Sequence, residues 1–134
     1  MRNINLLTLC LMFISTALLA QTNTDGVSIT CEISQYEDEK IPNVKSKGVS
    51  VNFKTNKQVY LYPAAGAVIQ LCSESDIVEQ KKSDVDGFVV FKSVQPGTYT
   101  IKVLKDSYVK REVNVKVENK PLKRIFFLEK QIEN

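Results

Sequence analysis

The stretch Pro63-Ala-Ala-Gly66-Ala-Val-Ile-Gln-Leu71 is followed by Ser83-Asp84-Val-Asp86-Gly87-Phe-Val-Val-Phe91, then by Val94-Gln-Pro96-Gly97-Thr-Tyr99-Thr-Ile101-Lys-Val103, and closes at Tyr108. These runs decide the fold. Each alternates with period two and is parted from the next by a turn signal, which is the pattern of an antiparallel β-sheet. Ala67, Ile69 and Leu71 share one face of the first run and Val68, Gln70 and Cys72 the other, so the wholly apolar first face is expected in the core. Asp84 and Gly87 stand where the backbone must reverse, because a short carboxylate bonds local amides and glycine accepts positive φ. Pro96-Gly97 predicts a type II turn, proline presetting the first central position and glycine taking the left-handed second one.

In this order, Gly66-Ala67-x-Ile69-x-Leu71, Asp84-x-x-Gly87-x-Val89-x-Phe91, Pro96-Gly97-x-Tyr99-x-Ile101-x-Val103 and Tyr108 resemble the carboxypeptidase-regulatory-like domains. These are transthyretin-like or prealbumin-like β-sandwiches, and the B-type repeats of Gram-positive surface adhesins are similar modules. The resemblance extends more loosely to Val113-x-Val115-x-Val117 and to a last strand over Leu122 to Leu128. One departure is Ser107, where such domains commonly place glycine before the tyrosine. The resemblance implies an all-β fold, a Greek-key antiparallel β-sandwich of about seven strands. It also implies a non-catalytic role, since relatives serve as accessory domains on outer-membrane receptors, surface adhesins and secreted enzymes.

Upstream, Met1-Arg2-Asn3-Ile4-Asn5 precedes a largely apolar run from Leu6 to Leu19 and an abrupt polar shift at Gln21. That is the layout of a secretory signal peptide over residues 1–20, cut after Ala20 or Ala17, which leaves one domain over residues 21–134. The apolar run falls short of the roughly 20 residues a membrane span needs, so no span is expected after cleavage. The chain is predicted to be exported, to the periplasm or the cell surface. Val27, Ile29, Cys31 and Ile33 alternate as a first strand, and residues 35–48 read as a polar surface connection. Val49-Ser-Val51-Asn-Phe53 and Val59-Tyr60-Leu61-Tyr62 then form a hairpin about Lys54-Thr-Asn-Lys57, additional to the layout of the resembled domains.

Downstream, Phe126 and Leu128 are assigned to the core, which turns Ile125 and Phe127 to the opposite face. Covering of these two by the extra hairpin is preferred, because monomers seldom leave large apolar patches open. The charges, a formal net +3, are scattered and are taken as solvated surface rather than as a nucleic-acid or anionic-membrane patch.

The chemistry is mostly excluded. With no histidine in the chain there is no Ser-His or Cys-His nucleophile and no ordinary zinc set, and the resembled hydrolases of purine breakdown products use histidines. No cofactor, metal or catalytic residue is assigned. Asp84 and Asp86, with Glu74 and Asp76 in a neighbouring turn, offer few of the roughly six to eight oxygens calcium takes, so Asp84 is expected to cap a turn. Cys31 and Cys72 admit a disulfide in an exported chain, but alternation points them differently, which favours two unpaired thiols.

The expected function is an interaction or structural module whose partner is another envelope or surface protein, with Tyr36, Tyr60, Tyr62, Ile125 and Phe127 as candidate surface and Gly66, Asp84, Gly87, Pro96 and Gly97 as structural turns. A glycan-binding platform of the three tyrosines is the alternative, and a carboxylate-only hydrolase using Glu37, Asp38 or Asp86 the remote one. Tyrosines around a concavity favour a glycan, whereas a flat apolar strip holding Ile125 and Phe127 favours a protein.

Overall fold

The computed structural model describes residues 25–132; the leader and its cut lie outside the described residues. Among the described residues nine strands form: β1 (Val27–Glu37), β2 (Gly48–Asn52), β3 (Lys57–Pro63), β4 (Val68–Ser73), β5 (Asp76–Lys82), β6 (Phe88–Val94), β7 (Gly97–Leu104), β8 (Arg111–Val117) and β9 (Leu122–Leu128). They make two sheets. In the first, β2, β3, β1 and β6 follow in order, with β9 also on β1; in the second the order is β5, β4, β7, β8.

β1 organises the first sheet by serving three partners. Along one edge, β6 takes the stretch from Val27 to Glu32 and β3 takes Ser34 to Glu37. The exchange occurs at Ile33, whose amide donates to the Gly87 carbonyl at 2.7 Å and whose carbonyl accepts from the Ala64 amide at 2.9 Å. Gly87 has φ +84°, and a Cβ there would lie 2.2 Å from the Ile33 carbonyl oxygen, so the close approach requires glycine. Along the other edge β9 runs parallel to β1, from Ile29 opposite Leu122 to Gln35 opposite Leu128. The sandwich is therefore not wholly antiparallel as expected. Period-two alternation is blind to strand direction, and β9 enters from β8 of the other sheet rather than by a hairpin.

Between the sheets, Ile29, Cys31, Ile33, Phe91, Phe126 and Leu128 face Ile69, Leu71, Ile101, Val103, Val115 and Val117. Each set sits at alternate positions of its strand, which is what two half-buried sheets demand.

β5 was not legible as a strand, its start at Asp76 having been read as turn. It edges the second sheet, and its inward positions are charged: Glu79 stands opposite Leu71 and Lys81 opposite Ile69. Lys81 Nζ donates to the Val90 carbonyl at 2.7 Å and lies 5.9 Å from the centroid of Phe91. An inward lysine thus caps the open edge of β6, one of the ways sheets protect their edges.

The turns follow their residues. Asp84 Oδ1 accepts from the amides of Asp86 and Phe88, both at 2.9 Å, and the Gly87 amide donates to the Asp84 carbonyl at 3.0 Å. Gly66, at φ +72°, donates to the Ser83 carbonyl at 3.0 Å. The Pro96-Gly97 expectation is corrected: Gly97 is nearly extended at φ +157°, held as the first residue of β7 opposite Val117. Ser93, at φ +59°, lies within β6 where its register against β1 shifts between Val27 and Ile29. Ser107 adopts φ +75°, the conformation that glycine takes more readily.

Candidate interaction site

With Ile29, Cys31 and Ile33 turned inward, Glu32, Ser34 and Tyr36 of β1 face out of the first sheet. The parallel register sets Ile125 beside Glu32 and Phe127 beside Ser34. Phe127 stacks on Tyr36, with centroids 5.9 Å apart and an interplanar angle of 23°. Ile125 and Phe127 remain 52% and 41% exposed, so the expected covering by the hairpin does not occur. The reason is topological: the hairpin joins β1 through β3, on the edge opposite β9. In the middle of this face, Lys47 Nζ lies 3.2 Å from Glu32 Oε1 and donates to Ser34 Oγ at 2.8 Å. The result is a sheet face with an apolar border of Ile125, Phe127 and Tyr36 beside one ion pair.

The other two tyrosines are elsewhere. Tyr60 stands opposite Glu37 and Tyr62 opposite Gln35, on the inward side. Tyr62 is 2% exposed, and its hydroxyl accepts the Ile41 amide at 2.8 Å. They do share a face, but Tyr36 is on the opposite one, and the three form no common platform.

A buried polar cluster closes this end of the sandwich. The inward parity of β1 continues past Ile33 into Gln35 and Glu37, residues that sequence reading assigned to a surface connection. Glu37 Oε1 accepts from Gln35 Nε2 at 2.7 Å and from the Tyr108 hydroxyl, while Lys130 Nζ lies 2.5 Å from its Oε2. Lys105 Nζ donates to Gln35 Oε1 and lies 5.5 Å from the centroid of Tyr108. Burial works to raise the Glu37 pKa, but the bonds from Lys130, Tyr108 and Gln35 outweigh it and hold the carboxyl below its ordinary value. The bond to Glu37 raises Lys130 in turn. Burial chiefly, then the Glu37 carboxylate, push the Tyr108 phenol up, and burial lowers Lys105 against the pull of Glu37. Since the Val109 amide donates to the Glu129 carbonyl and the Gln131 amide to the Ser107 carbonyl, both at 2.8 Å, the cluster ties the β7–β8 loop to the segment after β9. The parity of positions 29, 31, 33, 35 and 37 was the signal for Glu37; its partner Tyr108 is 71 residues away.

A groove of about 500 Å³ opens beside the cluster between Val68, Lys82, Leu104, Tyr108 and Lys110. Glu37 does not line it. Its carboxylate is engaged by three donors, and Asp86 belongs to the exposed Asp84–Gly87 turn, so neither stands as an acid or base facing a cleft. No group of three or more metal-ligating side chains forms among the described residues. Cys31 and Cys72 are separate buried thiols; burial pushes Cys31 up to about 11, opposed by the charge of Arg124. Among the described residues no helix is long and apolar enough to cross a membrane.

No protein-family model and no curated protein matches the chain by sequence. Among solved structures, it is similar to 5-hydroxyisourate hydrolase of Klebsiella pneumoniae, with TM-score 0.50 and 10% identity over 78% of this chain and 91% of that one. It is also similar to a chain of a type II cohesin–X–dockerin complex from Acetivibrio cellulolyticus, with TM-score 0.48 and 21% identity over 77% of this chain and 57% of that one. A minor pilin of Streptococcus agalactiae gives TM-score 0.48 and 16% identity over 81% of this chain and 47% of that one. At these identities the likeness is one of fold alone: the chain is a two-sheet β-sandwich, similar in fold to that hydrolase.

Proposed function

We propose that the protein is exported behind a leader over residues 1–20 and acts over residues 21–134 as a non-catalytic interaction module of the bacterial envelope, binding another envelope or surface protein. The observation that carries this reading is the apolar border of Ile125, Phe127 and Tyr36 on the outer face of the first sheet, two of whose side chains are half open to water. Aromatic side chains that are already ordered contribute large contact area at low entropic cost, which is what a protein-binding surface uses. The separation of Tyr36 from Tyr60 and Tyr62 speaks against the tyrosine platform for a glycan. The absence of histidine and the saturation of Glu37 speak against hydrolysis.

The test is affinity capture from envelope fractions with the wild-type protein and with an Ile125→Ser/Phe127→Ser variant. Specific protein partners that the variant loses support the reading. Partners retained in full by the variant would move the surface elsewhere, and binding to a glycan array without any protein partner would replace the reading.

A further inference from the structure

The hairpin of β2 and β3 runs past the end of its sheet. β3 meets β1 only between Tyr60 and Pro63, whereas Lys57, Gln58 and Val59 pair with β2 alone. The turn over residues 53–56 that joins the strands carries Phe53, which is 97% exposed. Behind it, Val49 and Val51 share one face of the hairpin with Tyr60 and Gln58, and both valines are exposed. A single exposed valine needs no account, but an aromatic ring presented whole to water beside two more apolar side chains does.

Along the chain, the segment that leads into this tip is one-sided in charge. From Lys40 to Lys57 the chain has five lysines, at 40, 45, 47, 54 and 57, and no aspartate or glutamate. The formal charge of the whole chain is only +3, so acids outnumber bases outside this window. Lys47 is committed to Glu32. Among the described residues Lys40, Lys45, Lys54 and Lys57 have no acidic partner within 4.0 Å.

From this juxtaposition we infer that the hairpin docks the protein peripherally on an anionic lipid surface, Phe53 entering the headgroup boundary while Lys54 and Lys57 lie among the phosphates. Aromatic rings favour the boundary between headgroups and acyl chains, and cations near an anionic leaflet are held by its surface potential within a Debye length. A soluble polyanion such as a nucleic acid would engage the lysines but leave Phe53, Val49 and Val51 in water, and the hairpin has no ladder of aromatics on which bases could stack. A surface with negative heads above an apolar layer uses both features. The hairpin and the Ile125–Phe127 border lie on opposite edges of β1, so the two attachments are compatible.

The chain contains no tryptophan, so Phe53→Trp places a unique fluorophore at the tip. Its emission is expected to shift to the blue on vesicles of phosphatidylcholine with phosphatidylglycerol and to stay unshifted on phosphatidylcholine alone. Wild-type protein should co-sediment with the mixed vesicles, less so as salt is added, and Phe53→Ser or Lys54→Gln/Lys57→Gln should weaken this about tenfold or more. Val85→Ser, which removes an exposed side chain from a different loop, should bind as wild type. Wild type and variants are compared as residues 21–134, the form that acts on the reading proposed above, so the apolar run of Leu6 to Leu19 is absent from every sample. Indole emission from Phe53→Trp that stays unshifted on mixed vesicles, equal binding to neutral vesicles, or a Phe53→Ser variant that binds fully would overturn the inference. So would tighter binding to a DNA duplex that ignores Phe53→Ser, which would assign the lysines to a soluble polyanion.

Discussion

The amide of Ile33 donates to the carbonyl of Gly87 at 2.7 Å, and at that rung β1 passes from β6 to β3. The contact depends on a glycine in the left-handed region with its α-carbon pressed against the Ile33 carbonyl. Gly87→Ala should therefore cost more than about 2 kcal/mol of unfolding free energy, the left-handed penalty of roughly 1–2 kcal/mol being compounded by the clash. Denaturant unfolding reads this directly; a loss under about 1 kcal/mol would mean that the strand junction yields without harm.

The Glu37 cluster makes stability depend on pH at both ends of the range. The folded Glu37 carboxyl binds its proton less readily than the unfolded one, so the unfolded chain takes up more protons as pH falls. Its contribution is full above the ordinary glutamate value of 4.5 and is lost as pH drops through the folded value. Lys130 is raised from 10.5 and Tyr108 from 10.0, so their contributions are full below those values and are lost as pH climbs through the folded ones. Melting temperatures of wild type and Glu37→Gln should differ most near neutral pH and converge in acid; parallel curves would show that Glu37 is not held ionised by its neighbours.

Lys81 is predicted to act as an edge guard. Replacing it with valine removes the bond to the Val90 carbonyl and puts an apolar side chain where the charge had guarded the β6 edge. Lys81→Val should remain folded yet associate with rising concentration, as light scattering would report. A variant that stays monomeric would show that β6 is shielded by other means.

Cys31 and Cys72 should both resist modification. Cys31 lies in the core with its pKa pushed up to about 11, and Cys72 is also buried. Peptide mass mapping after brief treatment with an aromatic disulfide reagent should find neither residue modified in the native protein and both modified in denaturant. Rapid native labelling of Cys72 would place it at an opening in β4.

Much of the fold was legible because its signals are local. Alternation in β1, β4, β6, β7, β8 and β9, and the Asp84–Gly87 turn, are written in residues a few positions apart. β5 escaped because its inward side chains, Glu79 and Lys81, are charged, which inverts the usual alternation at a sheet edge. Parity put Tyr60 and Tyr62 on one face but did not say which; that depends on their register with Gln35 and Glu37, a pairing across the polar connection. Parity likewise set Ile125 and Phe127 on one face of β9, yet their exposure follows from β9 and the hairpin taking opposite edges of β1. The bonds from Glu37 to Tyr108 and Lys130 join distant segments and leave no local trace.

The parallel pairing of β1 with β9 has a mechanical meaning. Seven consecutive rungs align Ile29 through Gln35 with Leu122 through Leu128, so the outer end of β1 at Val27 and the outer end of β9 beyond Leu128 lie at opposite extremes of the ladder. A force pulling those two points apart loads the rungs in shear, all together, instead of opening them one after another like a zipper. A module tethered through its two ends would therefore yield to tension abruptly, at a high force set by the whole β1–β9 ladder.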